Sequence, residues 1–113
     1  MKGGAGNDFL DGDCTCDGLP GNDQLFGGDG DDELGGRFGD DKLHGDAGND
    51  LLVGDFNDAP GNDELSGGSG DDVMDAGPGD DRVKGDGGID GADGGTHVEG
   101  DKCDAEVETN CEF

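Results

Sequence analysis

The chain has no Trp and no Tyr, three Pro, and only six Lys and Arg among its 113 residues. Leu, Ile, Val and Phe together supply 19 residues, fewer than a fifth, which excludes a conventional two-layer core. No run of apolar residues reaches the length of a membrane span. The opening residues Met1-Lys2-Gly3-Gly4 lack the apolar stretch of a secretion leader, so the expectation is an excised module or a mature chain with a start Met added. The cations face 31 acids, giving a formal charge of −25. That balance argues against nucleic acid or an anionic membrane as partner, because phosphate would be repelled, and in favour of cations.

What the chain has in abundance is Gly, 28 residues, and Asp, 25 residues. Such a composition ordinarily describes a disordered acidic segment. The acids, however, are periodic. A nine-residue register covers 3–11, resumes after extra residues 12–17 at 18–26, and continues through 27–35, 36–44 and 45–53. After extra residues 54–57 it runs through 58–66, 67–75, 76–84 and 85–93, with an eroded tenth copy expected at 94–102. The fourth position is Gly in all nine copies: Gly6, Gly21, Gly30, Gly39, Gly48, Gly61, Gly70, Gly79 and Gly88. The sixth is always Asp: Asp8, Asp23, Asp32, Asp41, Asp50, Asp63, Asp72, Asp81 and Asp90. The eighth is always apolar: Leu10, Leu25, Leu34, Leu43, Leu52, Leu65, Met74, Val83 and Ala92. The fifth is Asn or Asp except at Ile89. A scattered acidic tail has no such order.

Each copy combines a Gly-rich turn, positions one to six, with a short extended piece, positions seven to nine. In that piece the eighth side chain faces one way and the seventh and ninth face the other. A three-residue strand is not stable alone, so the expectation is a coil in which two nonapeptides make a rung and copy n stacks on copy n+2, about 4.8 Å away. Eighth-position side chains then form an internal column, and sixth-position carboxylates form a ladder along each edge. Such ladders repel unless a hard divalent cation lies between rungs. Calcium, which accepts six to eight oxygens in flexible geometry, suits this better than magnesium.

The pattern GGxGxDxUx, matched without fault by Gly3–Asp11, Gly27–Gly35 and Gly67–Asp75, resembles the calcium-binding nonapeptide of the RTX, or hemolysin-type, family. The resemblance implies an all-β fold: a right-handed parallel β-roll solenoid with two nonapeptides per rung. It also implies calcium held by the sixth-position Asp residues and by turn carbonyls, here those of Gly6, Asn7, Gly21, Asn22, Gly30, Asp31, Gly39, Asp40, Gly48, Asn49, Gly61, Asn62, Gly70, Asp71, Gly79, Asp80 and Gly88. Nine copies paired n to n+2 allow at most seven sandwiched ions (9 − 2). Lanthanides, with similar size and oxygen preference, are an alternative metal. An EF-hand starting at Asp11 fails, because Cys16 and Asn22 stand where Gly and Glu are needed.

The four Cys lie outside the strict repeats, in the pairs Cys14/Cys16 and Cys103/Cys111 near opposite ends of the roll. Two local disulfides, Cys14–Cys16 and Cys103–Cys111, are the expectation, with four free thiols as the alternative. The domain reading is a roll over 1–102 and a short disulfide-clipped C-terminal cap over 103–113. Disulfides would place the protein outside the cell. His44 and His97 read as solvated side chains.

The function expected is a calcium-binding module that folds on binding calcium outside the cell. The alternative is a calcium-dependent surface-recognition or adhesion module. If the insertions keep the alternation, Phe9, Leu51, Val53 and Val73 share one outer face, suited to a partner or to self-association. Lys42, His44, Glu64, Arg82 and Lys84 share the other. Catalysis is not expected. The paired acids of positions five and six recur in four copies, and the sixth-position Asp in all nine, as ligands do and a single active site does not.

Overall fold

The structure, a computed structural model, describes residues 1–13, 21–56 and 60–94, and the backbone of 102–104 and 107–109. Among the described residues all regular structure is β. The strands are β1 (Lys2–Ala5), β2 (Phe9–Asp11), β3 (Gln24–Asp29), β4 (Glu33–Arg37), β5 (Lys42–Ala47), β6 (Leu51–Asp55), β7 (Glu64–Ser69), β8 (Val73–Asp75), β9 (Arg82–Gly87), β10 (Gly91–Asp93), β11 (Lys102–Asp104) and β12 (Val107–Thr109). They form two six-stranded sheets, ordered β1-β3-β5-β7-β9-β11 and β12-β10-β8-β6-β4-β2. Every described pairing is parallel. Consecutive strands alternate between the sheets, which is the winding of a parallel β-roll.

Register follows the eighth position. Leu10 pairs with Leu34, Leu34 with Leu52, Leu52 with Met74, and Met74 with Ala92. In the other sheet Leu25 pairs with Leu43, Leu43 with Leu65, and Leu65 with Val83. These side chains, with Ala76, form the hydrophobic core among the described residues, and none exceeds 3% exposure. Because side chains alternate along a strand, a one-residue slip would turn a whole column out to solvent. The column therefore sets the register.

Three features depart from the expected layout. First, β3, β5, β7 and β9 run through positions one to three of the following copy, as in the pairs Gly28–Asp46 and Ala47–Ser69. The sheet hydrogen bonding extends into turns that the pattern marks only as Gly-rich. Second, Gly12 and Gly54 take the first-position place of the two interrupted copies, so the extra residues lie within those turns. Gly18 and Asp58, expected at that place, fall outside the described residues. Third, Cys103 registers with Val83 and Glu108 with Ala92. A tenth copy over 94–102 would have put Asp101 beside Val83; the backbone instead enters two residues later, and β11 and β12 extend both sheets.

The two outer faces divide as the alternation requires. Phe9, Leu51 and Val73 are exposed on the second sheet, and Val53 is half-buried. Phe56 lies against this face: a Cβ on Gly35 would come within 2.9 Å of its ring. The first sheet carries Lys2, Lys42, Arg82 and Lys84. His44 is half-buried there, its ring stacked on Phe26 at 4.9 Å, which corrects the expectation of a solvated side chain.

Candidate metal centre

The site begins with two glycines. At position one, a Cβ on Gly3 would lie 2.6 Å from Asp8 Oδ2 and 2.7 Å from the Gly27 carbonyl oxygen. The same crowding recurs at Gly27 with Asp32 and Gly45 O, at Gly45 with Asp50 and Gly67 O, and at Gly54 with Asp63 and Ala76 O. The sixth-position carboxylate thus folds back under the first-position glycine of its own copy, toward the first-position carbonyl of the next rung. At position four, a Cβ on Gly30, Gly48, Gly70 or Gly88 would overlap the fourth-position carbonyl oxygen of the preceding rung. These glycines also have φ between 130° and 138°, a region L side chains rarely adopt.

Two hydrogen-bond ladders run in opposite directions along each edge. At position six, the backbone N–H of each Asp donates to Oδ1 of the Asp one rung further on. On one edge the steps are Asp8 to Asp32 (2.7 Å), Asp32 to Asp50, Asp50 to Asp72, and Asp72 to Asp90. On the other they are Asp23 to Asp41, Asp41 to Asp63, and Asp63 to Asp81. The described ladders thus contain seven steps, 4 + 3. At position five, the side-chain oxygen accepts from the next rung's backbone N–H: Asp31 to Asn7, Asn49 to Asp31, Asp71 to Asn49 and Ile89 to Asp71. A short side-chain acceptor explains the Asn or Asp preference. Ile89, which supplies only its N–H to the described ladder, does not break it.

One carboxylate oxygen of Asp32, Asp41, Asp50, Asp63 and Asp72 is thereby held, and the other is not. Oδ2 of Asp8, Asp32, Asp41, Asp50, Asp63 and Asp72 is buried and accepts no hydrogen bond. Burying an ionised carboxylate without a partner is costly. Desolvation accordingly pushes Asp63 up to about 8 and Asp41 and Asp72 up to about 6, with neighbouring carboxylates adding to the effect. For Asp50 burial acts in the same direction.

The backbone hydrogen bonds between turns are accepted mainly by third- and sixth-position carbonyls, such as Ala47 from Gly30 and Asp32 from Leu51, with Gly35 and Asp93 at position nine and Ala76 at position one, from the Asp55 N–H, as further acceptors. Fourth- and fifth-position carbonyls accept none of these turn bonds. The arrangement therefore offers unpartnered anionic oxygens beside unengaged neutral ones, all hard donors. Such a set can desolvate and bind a hard cation, and its oxygen-only character suits calcium. The carboxylate and main-chain oxygens fit the metal that the repeat pattern implies.

Sequence reasoning missed three things at this site. They are the first-position carbonyls beside Asp Oδ2, the inter-rung role of position five, and Asp55, a buried carboxylate within an insertion. A signal for the last exists: both interrupted turns open with Gly-Asp, Gly12-Asp13 and Gly54-Asp55. The expected disulfides lie outside the described residues, as do His97 and the C-terminal cap side chains.

The model of the RTX calcium-binding nonapeptide repeat matches the chain in four copies, at residues 1–13, 17–42, 36–58 and 59–92. Comparison with curated proteins and with solved structures gave no match. A family match over most of the chain, on a parallel β-roll whose repeated Asp carboxylates are buried beside main-chain oxygens, means that this chain belongs to the RTX calcium-binding nonapeptide-repeat family.

Proposed function

We propose that the chain is a calcium-triggered fold that works outside the cell, disordered at low calcium and wound into the roll when the ladders fill. The observation that carries this reading is the row of buried sixth-position carboxylate oxygens that accept no hydrogen bond. Without metal they oppose folding; with a divalent ion they become ligands. Each filled site would stabilise the folded state by RT ln(1 + [L]/Kd), about 2.7 kcal/mol at a hundredfold excess of free ion. The ligands are the nine sixth-position Asp residues with turn carbonyls. The fourth- and fifth-position carbonyls are supported by their freedom from turn hydrogen bonds, and the first-position ones by their nearness to Asp Oδ2. Up to seven ions fit this reading, one for each ladder step. Lanthanides would bind the same oxygens, and a competitive titration ranks the two metals.

The proposed role is structural rather than catalytic. The deciding experiment is circular dichroism in chelator, then with calcium or with equal magnesium. Strand signal in calcium alone is expected. A chain already wound in chelator at pH 8 overturns the proposal.

A second reading, calcium-dependent recognition or self-association, draws on the exposure of Phe9 and Val73, 68% and 56%. Sedimentation with and without calcium separates it: a calcium-dependent dimer that Phe9→Ser abolishes would favour it. Extracellular location and the two disulfides belong to the same proposal, and thiol counting on the purified chain tests the latter.

A further inference from the structure

Asp55 is the one buried acid among the described residues that stands outside the sixth-position ladders. It follows Gly54, the first-position residue of an interrupted copy, and so holds that turn's second position. In the uninterrupted turns the second position takes positive φ, as at Gly28, Arg37, Asp46, Gly68, Gly77 and Asp86. There Asp46 and Asp86 turn outward and are exposed. Asp55 keeps an ordinary strand φ, paired opposite Arg37, and its side chain turns inward.

The inward carboxylate is 6% exposed, and neither of its oxygens has a hydrogen-bond partner. Gly77 makes room for it, since a Cβ there would come within 2.8 Å of Asp55 Cβ. Its Oδ2 lies 3.0 Å from where a Cβ on Gly61 would stand, so it points at the fourth-position glycine of its own turn. Of the charges acting on Asp63, that of Asp55 is the strongest, ahead of Asp81 and Asp41. The other interrupted turn repeats the arrangement in looser form, with Asp13 Oδ1 3.8 Å from the equivalent point on Gly21.

We propose that Asp55 is a metal ligand that joins Asp63 at a divalent-cation site in the interrupted turn, giving that site one more carboxylate than an uninterrupted turn provides. This rests on the calcium reading above. Ligand charge count raises calcium affinity, so this site fills first and the roll winds outward from it.

Calcium titration by calorimetry of the whole chain, beside Asp55→Asn and Asp46→Asn, tests the proposal. Asp55→Asn is expected to lose about one ion per chain, or to weaken the tightest site at least about tenfold. Asp46→Asn is expected to match the wild type. In chelator, Asp55→Asn should be no less ordered than the wild type, because a buried charge has been removed. Identical titrations for Asp55→Asn and wild type overturn the proposal. A wild type that binds no calcium overturns the function itself. Should Asp55→Asn fail to fold in saturating calcium, Asp55→Glu decides. Folding restored by that carboxylate supports the ligand, and failure of both variants assigns Asp55 to packing and overturns it.

Discussion

Gly48 has φ 135°, and a Cβ there would overlap the Gly30 carbonyl oxygen. Gly48→Ala therefore meets strain and a clash at once and should destabilise the calcium-bound roll by about 2 kcal/mol or more, read as a raised calcium midpoint. The titration of the carboxylates has a definite sign. Asp63, Asp55, and Asp41 with Asp72 sit at about 8, 7 and 6, against an ordinary value of 3.8. For Asp55, burial is the main cause, opposed in part by the nearby Gly61 amide, which lies outside hydrogen-bond geometry. The folded state thus binds these protons more readily than the unfolded state does. Their contribution to the calcium-free roll is full below about pH 4 and lost as pH rises toward about 8. Calcium needs the same groups ionised, so calcium-linked stability runs the other way and fades as pH falls through that window. Circular dichroism in chelator between pH 8 and 4 should show strand signal growing on acidification. Signal that shrinks would contradict the assigned shifts.

At the scale of the element, each strand contributes one core side chain and depends on neighbouring rungs for the rest. Leu43 is fully buried between Leu25 and Leu65. Leu43→Ala should destabilise the holo roll by about 2–5 kcal/mol, measured by thermal melting in saturating calcium. Lys42→Ala removes an ion pair with Glu64 at 2.6 Å, but both side chains are largely exposed. Its effect should stay below about 1 kcal/mol. The contrast between these adjacent residues tests whether the column, rather than the outer face, holds the strand.

For the whole molecule, the balance is between charge and metal. Seven divalent ions would reduce a formal charge of −25 to −11 (−25 + 14). Because each rung contacts only its neighbours, winding should propagate from a filled site. A calcium titration followed by circular dichroism should accordingly be steeper than a single-site curve, and a simple hyperbola would mean that the sites are uncoupled. Truncation after residue 94 removes β11 and β12 and uncovers β9 and β10. It should raise the calcium midpoint without abolishing the transition.

The nonapeptide period was enough to read the strand at positions seven to nine of each copy, the core column and the division of outer faces, but not the run of β3, β5, β7 and β9 into the following turn. Each depends on side-chain alternation, which is local and repeats faithfully from Leu10 to Ala92. The insertions did not disturb it, because Gly12 and Gly54 take the first-position place and the eighth-position register resumes at Leu25 and Leu65. What only the stacked structure decided concerns atoms rather than residues. Oδ1 of Asp32 is consumed by the Asp8 N–H, 24 residues away, while Oδ2 is left buried beside first-position oxygens. Position five holds the rungs together, and Asp55 turns inward where Asp46 turns out. These outcomes depend on which lone pair meets which backbone group once rung lies on rung, and contacts across 18 to 24 residues leave no trace in a nine-residue pattern.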